Sequence, residues 1–166
     1  MFFMINLFNY FGVASQKGFE DYYFNQKTQV AFRISLKNQE NALAIASWLR
    51  HGELQANSTT VSEYASSKLK KALPRVKKLM VNQPNNFFLE LQGICAEAGV
   101  KVVYTPCLPK APIHGSTRWI GDVPLIQLSG RYRRNDIFWF TFFHEVGHIL
   151  LHGSGAVSCS SRFRAP

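Results

Sequence analysis

Apolar residues recur at helical spacing over much of this 166-residue chain and at alternating spacing in a few short segments. The helical spacing predicts a short packing helix within the first twelve residues and longer helices over Asn41–Arg50 and Phe87–Ala98. The alternation of apolar residues in Val30–Leu36 predicts one extended segment. The N-terminal half is therefore expected to be mostly helical.

Two further helices are predicted between these segments. Thr60 followed by Glu63 resembles a capping box, which would open a helix that ends at Leu73. Pro74 suits the first turn of a second helix, because proline lacks the N–H that the helix interior needs. The sequence thus predicts a helix boundary at Pro74.

Short β-strands are predicted only in the C-terminal half. Val100–Tyr104, Thr117–Ile120 and Leu125–Leu128 are rich in β-branched and other apolar residues, and Gly121–Pro124 reads as a turn between the last two. The predicted fold class is α+β, with a small antiparallel sheet packed on a buried helix. The predicted organisation is a helical N-terminal or linker region at 1–83, a core at 84–153 and an irregular tail at 154–166.

The chemistry of the chain is concentrated in a helix near its C-terminal end. Ten of the 15 residues in Ile137–Leu151 are apolar and occur on every side of the helical wheel, which predicts a helix buried all round. This helix contains the motif HExxH, in which His144 and His148 lie one turn apart on the same face. That arrangement is typical of zinc ligands, with Glu145 as the general base that activates a water. The competing interpretation is a pair of core histidines bonded to carbonyl groups, with Glu145 at a gap in the surface.

A family resemblance follows from the HExxH motif and its surroundings. The stretch Gly99–Gly153 resembles the ImmA/IrrE family of metallo-endopeptidases, in which a small sheet leads into the HExxH helix. Val30–Ser35 and Ala44–Ala56 are similar to the segment that links an Xre-type helix-turn-helix to the peptidase domain in fused members. The resemblance implies a zinc-dependent endopeptidase whose substrates are protein regulators such as transcriptional repressors. Direct nucleic-acid binding is not implied, because no helix-turn-helix precedes the peptidase-like part.

The sequence departs from this family after Gly153. Family members supply a third zinc ligand, commonly a carboxylate, from a downstream helix, whereas residues 154–166 contain no Asp, Glu or His. This indicates a chain truncated relative to the family at both ends. His152 would need a break in the helix to reach the same ion, and Cys159 would need the tail to fold back. Other conceivable ligands, without support from spacing, are Glu97, His114, Asp122 and Asp136.

Two functions therefore remain open at this point. The leading hypothesis is a zinc metallo-endopeptidase with His144 and His148 as metal ligands and Glu145 as catalytic base. The alternative is a catalytically inactive, truncated regulatory or antitoxin-like module that retains the peptidase fold. For Arg118 and Trp119, which follow His114-Gly115, the alternatives are cleft-lining residues or a core tryptophan with a surface arginine.

Charge and composition add limits on location and partners. The net charge is +9, and a run of basic residues between Glu63 and Glu90 is interpreted as a solvated helix face rather than a nucleic-acid contact. Three cysteines without CxxC spacing argue against a disulfide framework and for a cytoplasmic location. No apolar run reaches the length of a membrane span, so no membrane partner is expected.

Overall fold

Helices make up most of the computed structural model, which describes residues 2–25, 39–111, 113–130, 134–152 and 158–160. The helices are α1 (Phe2–Phe11), α2 (Gln16–Glu20), α3 (Gln39–Asn57), α4 (Ser66–Asn82), α5 (Phe87–Glu97) and α6 (Asn135–His152), and a π-helical segment covers Asp21–Asn25. The α+β class and the helices predicted for α1, α3 and α5 are confirmed. The extended segment predicted at 30–36 lies outside the described residues. No helix in the described ranges is long and apolar enough to span a bilayer.

Helix α4 differs from the prediction, because one helix runs through Pro74 where two were expected. Ala65 rather than Thr60 occupies the N-cap position, and it makes no side-chain cap hydrogen bond. Proline in a helix interior removes a hydrogen bond, but the apolar stripe of α4 is continuous across this position. Packing of that stripe against the core keeps α4 in one piece. The buried residues of the stripe are Leu69, Ala72, Val76 and Leu79.

The sheet is mixed rather than antiparallel. Its strands are β1 (Lys101–Tyr104), β2 (Gly115–Ile120), β3 (Val123–Leu128) and β4 (Ser158–Ser160), in the spatial order β1-β3-β2-β4. Strand β2 pairs antiparallel with both β3 and β4, as expected, but β1 pairs parallel with β3. The prediction was wrong for that pair because the chain crosses over between β1 and β2 and places β2 on the far side of β3. Strand β4 lies within the tail that was predicted to be irregular.

The sheet lies between α3 on one face and α4, α5 and α6 on the other. Val102 of β1 and Ile126 of β3 belong to the apolar core shared with α6. Their neighbours Val103 and Leu125 face the opposite way and pack with Ala56 of α3. Alternate residues of each strand thus serve two separate packing layers, as the pleat requires.

The larger core joins helices from both sides of residue 83, where the sequence predicted a domain boundary. Phe142, Val146 and Ile149 of α6 belong to the same buried cluster as Leu91 of α5 and the stripe of α4. Each fully buried aliphatic or aromatic side chain contributes about 1.5–3 kcal/mol. This core fixes the position of α6, and hence of the HExxH motif, relative to the sheet.

A buried polar network joins the other face of the sheet to α3. Arg118 and Glu53 are 5% and 6% exposed, and the Arg118 Nε lies 3.4 Å from a Glu53 carboxylate oxygen. This contact pairs the charges without the alignment of a hydrogen bond. Arg118 also donates to Gln127 Oε1 at 2.9 Å, while Gln127 Nε2 donates to the Trp48 carbonyl at 2.7 Å. Neither prediction for Arg118 is correct, since it lies neither in a cleft nor at the surface.

Trp119 alternates with Arg118 along β2 and therefore faces the helical core. It is partly buried there, and its ring meets Tyr64 edge to face with centroids 5.1 Å apart. The tryptophan is therefore a packing residue, as one of the two interpretations of the sequence held. Arg118 faces the other side of the sheet, where its charge is paired with Glu53 of α3.

Candidate metal centre

Helix α6 is half buried, in contrast to the prediction of a helix buried all round. Its side facing the sheet and α5 buries Trp139, Thr141, Phe142, Glu145, Val146 and Ile149. The opposite side carries a stripe at four-residue spacing that contains Phe140, His144, His148 and His152. Phe140 is 54% exposed, His144 and His152 are exposed, and His148 is partly exposed. The prediction failed because Phe140 is apolar yet lies on the same exposed side as the histidines.

The two motif histidines converge on each other. His144 Nε2 lies 3.0 Å from His148 Nε2, and the rings are nearly perpendicular, with centroids 4.7 Å apart. Two nitrogens bound tetrahedrally to one zinc ion at about 2.0–2.1 Å would lie roughly 3.3 Å apart. The nitrogen separation therefore fits a shared metal ion to within a few tenths of an ångström.

Neighbouring side chains hold the two imidazoles in place. Phe140 stacks on His144 with an interplanar angle of 15° and centroids 6.0 Å apart. His152 lies on the other side of His148, with ring centroids 5.6 Å apart. The pKa of His148 is lowered, first by burial and then by repulsion from His144 and His152. The neutral imidazole, which is the form that binds metals, is thereby favoured at His148.

Glu145 lies on the opposite side of α6, between the helix and β2. It is fully buried, and Thr117 Oγ1 lies 2.8 Å from its Oε2 and 3.1 Å from its backbone oxygen. The one-residue step from His144 thus turns the carboxylate away from the histidine stripe and toward the sheet. The structure places all three motif residues on one turn of helix, with the two imidazoles on its solvent-facing side and the carboxylate covered.

The described residues contain no group of three His, Cys, Asp or Glu side chains that could hold a metal ion. Glu97 pairs with Arg75, and Asp136 lies 2.6 Å from Arg134. His114 is buried, and Asp122 lies in the exposed turn between β2 and β3. None of these four conceivable ligands joins His144 and His148.

The two possible ligands nearer the C-terminal end are His152 and Cys159. His152 stays on the unbroken helix α6, beyond His148. The backbone of Cys159 is paired opposite Ser116 in β4, and its side chain lies outside the described part of the chain. The donor set that the structure brings together is therefore His144 and His148.

A shallow apolar groove borders the histidine stripe. It lies between α4 and α6 and has a volume of about 900 Å³. Phe140 belongs to both features, because it lines the groove and stacks on His144. Its apolar lining residues are Met80, Val81, Trp139, Phe140 and Phe143, and Lys77 lies at its edge. A peptide that lies along α6 could place an apolar side chain here.

Comparisons of the chain with protein-family models, curated proteins and solved structures give no match. The candidate site therefore stands on its residues and their geometry.

Thr117 and Phe140 were not predicted to belong to the site. Thr117 was expected only to begin a strand, and its contact with Glu145 spans 28 positions of the sequence. No local pattern encodes a contact of that kind. Phe140 could have been found from its four-residue spacing to His144, which places both on one face of a helix.

Proposed function

We propose that the chain is a zinc-dependent metallo-endopeptidase domain of the ImmA/IrrE type, and that it hydrolyses peptide bonds in protein regulators such as transcriptional repressors. The observation that carries the proposal is the convergence of His144 Nε2 and His148 Nε2 on the exposed side of α6. Both imidazoles lie on the solvent-facing side of α6, where His144 is exposed and His148 is partly exposed. An accessible position is what a metal and a substrate carbonyl both need.

In this proposal each residue of the motif has one role. His144 and His148 would hold zinc through their Nε2 atoms, and the chemistry that zinc would supply is a more acidic water and a polarised substrate carbonyl. Glu145 would be the general base for that water. Phe140 orients His144 by stacking, and the groove beside it receives an apolar side chain of the substrate.

The second candidate function is a catalytically inactive regulatory or antitoxin-like module that retains this fold. Two observations favour it: the two histidines gain no third ligand among the described side chains, and Glu145 is fully buried. Two imidazoles alone bind zinc weakly, because a stable catalytic site has three protein ligands and a water. The two candidates therefore differ first in whether the folded chain retains zinc.

The decisive experiment measures zinc per chain after dialysis against a weak chelator. Under the peptidase proposal the wild type retains close to one zinc, and both His144→Ala and His148→Ala lose it. His51→Ala is the matched control, because His51 is an exposed histidine on α3, remote from α6 in sequence. Folded wild-type protein without zinc would favour the inactive module.

Activity is then tested on an unstructured protein substrate. Glu145→Gln should retain zinc and lose cleavage, because the amide cannot accept the proton. Equal cleavage by wild type and Glu145→Gln would trace the activity to a contaminant or to another site. Loss of cleavage with zinc retained would assign catalysis to Glu145 separately from zinc binding.

A further inference from the structure

The groove between α4 and α6 is lined by apolar side chains that the fold leaves uncovered. Val81 is 77% exposed and Phe140 is 54% exposed, although both are large apolar residues. Both line the same groove, together with Met80, Trp139 and Phe143. Exposed apolar residues that lie together, rather than scattered singly, mark a binding surface. The floor of the groove therefore favours an occupant with an apolar face.

The α4 side of this groove is positively charged. Helix α4 contains no acidic residue and six basic residues, all of them exposed, which are Lys68, Lys70, Lys71, Arg75, Lys77 and Lys78. Lys77 lines the groove and forms no ion pair with any other residue that the structure describes. Lys70 lies two turns before Lys77 on the same side of the helix, so the positive charge continues along this side. Asp136 also lines the groove, but Arg134, at 2.6 Å, already balances its charge.

The combination of an apolar floor and a basic edge selects among possible occupants. A second copy of the chain would bring an identical basic α4, and like charges at an interface oppose association. A nucleic acid would pair its phosphates with the lysines but would leave Val81 and Phe140 beside a charged backbone. An acidic protein segment with an apolar face matches both features of the groove.

We propose that the groove between α4 and α6 binds an acidic amphipathic helix of a partner protein. Apolar side chains at helical spacing enter the groove between Val81 and Phe140, as in other helix-in-groove complexes. Acidic residues on the flank of the same helix meet Lys77 and Lys70. The inference goes beyond the peptidase function proposed above, because this surface needs neither zinc nor Glu145.

The test uses a fluorescein-labelled peptide of about 14 residues, roughly four helical turns, with leucines on one side and glutamates on both flanks. A comparison peptide carries lysines in place of the glutamates. Fluorescence anisotropy with metal-free wild-type protein should show binding of the acidic peptide that weakens as salt is added. The basic peptide should bind about tenfold more weakly or not at all. Absence of binding, or equal binding of the two peptides, would overturn the proposal.

Paired variants then place the peptide in the groove. Lys77→Glu should weaken binding about fivefold, and Val81→Asp about tenfold through the lost apolar contact. Lys78→Glu is the matched control for charge, because Lys78 is the next residue of α4 but lines a depression between α4 and α5. Leu89→Asp is the matched control for the apolar change, because Leu89 is 69% exposed and belongs to α5. All four residues are exposed, so each variant should keep the wild-type urea midpoint.

Several outcomes would overturn this assignment of the groove. Equal losses of affinity in Lys77→Glu and Lys78→Glu, or in Val81→Asp and Leu89→Asp, would show that the peptide binds elsewhere. Tighter binding of duplex DNA than of the acidic peptide would assign the charge of α4 to nucleic acid. A dimer of the free protein in sedimentation, lost in Val81→Asp, would assign the groove to a second copy. Because binding is measured without zinc, failure of the peptidase proposal at zinc retention would leave this result unchanged.

Discussion

Replacing Arg118 by methionine should destabilise the fold by about 3–5 kcal/mol, the usual cost of removing one partner of a buried ion pair. The guanidinium contacts Glu53, Gln127 Oε1, Ser116 Oγ and the carbonyl of Leu49. Methionine fills a similar volume, so the effect comes from the lost charge and hydrogen bonds rather than from a cavity. Among the described residues, Glu53 would keep Arg50, at 3.0 Å, as its cationic partner.

The assay is urea unfolding followed by tryptophan fluorescence, with thermal unfolding as a second measure. For a chain of this length the predicted loss corresponds to a fall in Tm of about 6–20 °C. Arg75→Met is the control, because Arg75 forms an ion pair with Glu97 at the surface, where both side chains are exposed. It should move the urea midpoint far less than Arg118→Met does.

A double variant isolates the charge pair. If Arg118→Met and Glu53→Met are combined, the buried charge of Glu53 disappears as well, and the protein should regain much of the lost stability. Recovery is incomplete, because Gln127 Oε1 and the Leu49 carbonyl lose a donor at a cost of about 1–3 kcal/mol. An Arg118→Met variant within about 1 kcal/mol of wild type, below the range for buried pairs, would refute the reasoning. So would strictly additive effects of the two substitutions.

Three further predictions concern close packing and a buried thiol. Gly52→Ala should destabilise the fold by about 1–3 kcal/mol in urea unfolding, because its Cβ would lie 2.1 Å from Gln127 Cδ. Gly93→Ala is the control and should not destabilise the fold, because the space around Gly93 is open. A larger loss of stability in Gly93→Ala than in Gly52→Ala would contradict this prediction. Gly115→Ala should lower stability in urea unfolding, because its Cβ would lie 2.6 Å from Thr141 Cγ2. A variant as stable as the wild type would contradict this clash. Burial raises the pKa of Cys95 to about 12, so this thiol should resist alkylation at pH 8 until urea unfolds the chain. The contribution of the protonated Cys95 thiol to stability is complete below about pH 9 and is lost as the pH rises toward 12. Rapid alkylation of Cys95 in the folded protein would contradict its burial.

The elements that could be predicted from the sequence are those whose pattern is local. The apolar stripe from Phe87 and the glycine at position 99 define α5 and its end, and Gly99 indeed has a φ of +80°. Strands β1, β2 and β3 were found from short apolar runs between turn residues. Helix α4 was divided wrongly because Pro74 is a local stop signal, whereas the packing that overrides it comes from residues distant in sequence.

The features that could not be predicted are contacts between distant segments. The parallel pairing of β1 with β3 depends on which side of β3 the chain returns to, and no spacing encodes this. The burial of Arg118 depends on Glu53, which lies far away in the sequence on α3. The exposure of Phe140 follows from which side of α6 faces the sheet, and periodicity could not decide that for a helix with apolar residues on every side.

The candidate site also depends on contacts between distant segments, which no local pattern encodes. For this reason the two proposed functions differ in whether the chain binds zinc. A helix places His144 and His148 one turn apart on the same side by its geometry alone, and the rotamers of the two side chains bring their nitrogens together. A third donor has to come from another segment, because the next position of the stripe, His152, is one further turn along the axis. Zinc affinity thus reports on the tertiary structure around α6 rather than on the motif. Zinc retention by the folded chain would therefore show that another segment supplies this third donor.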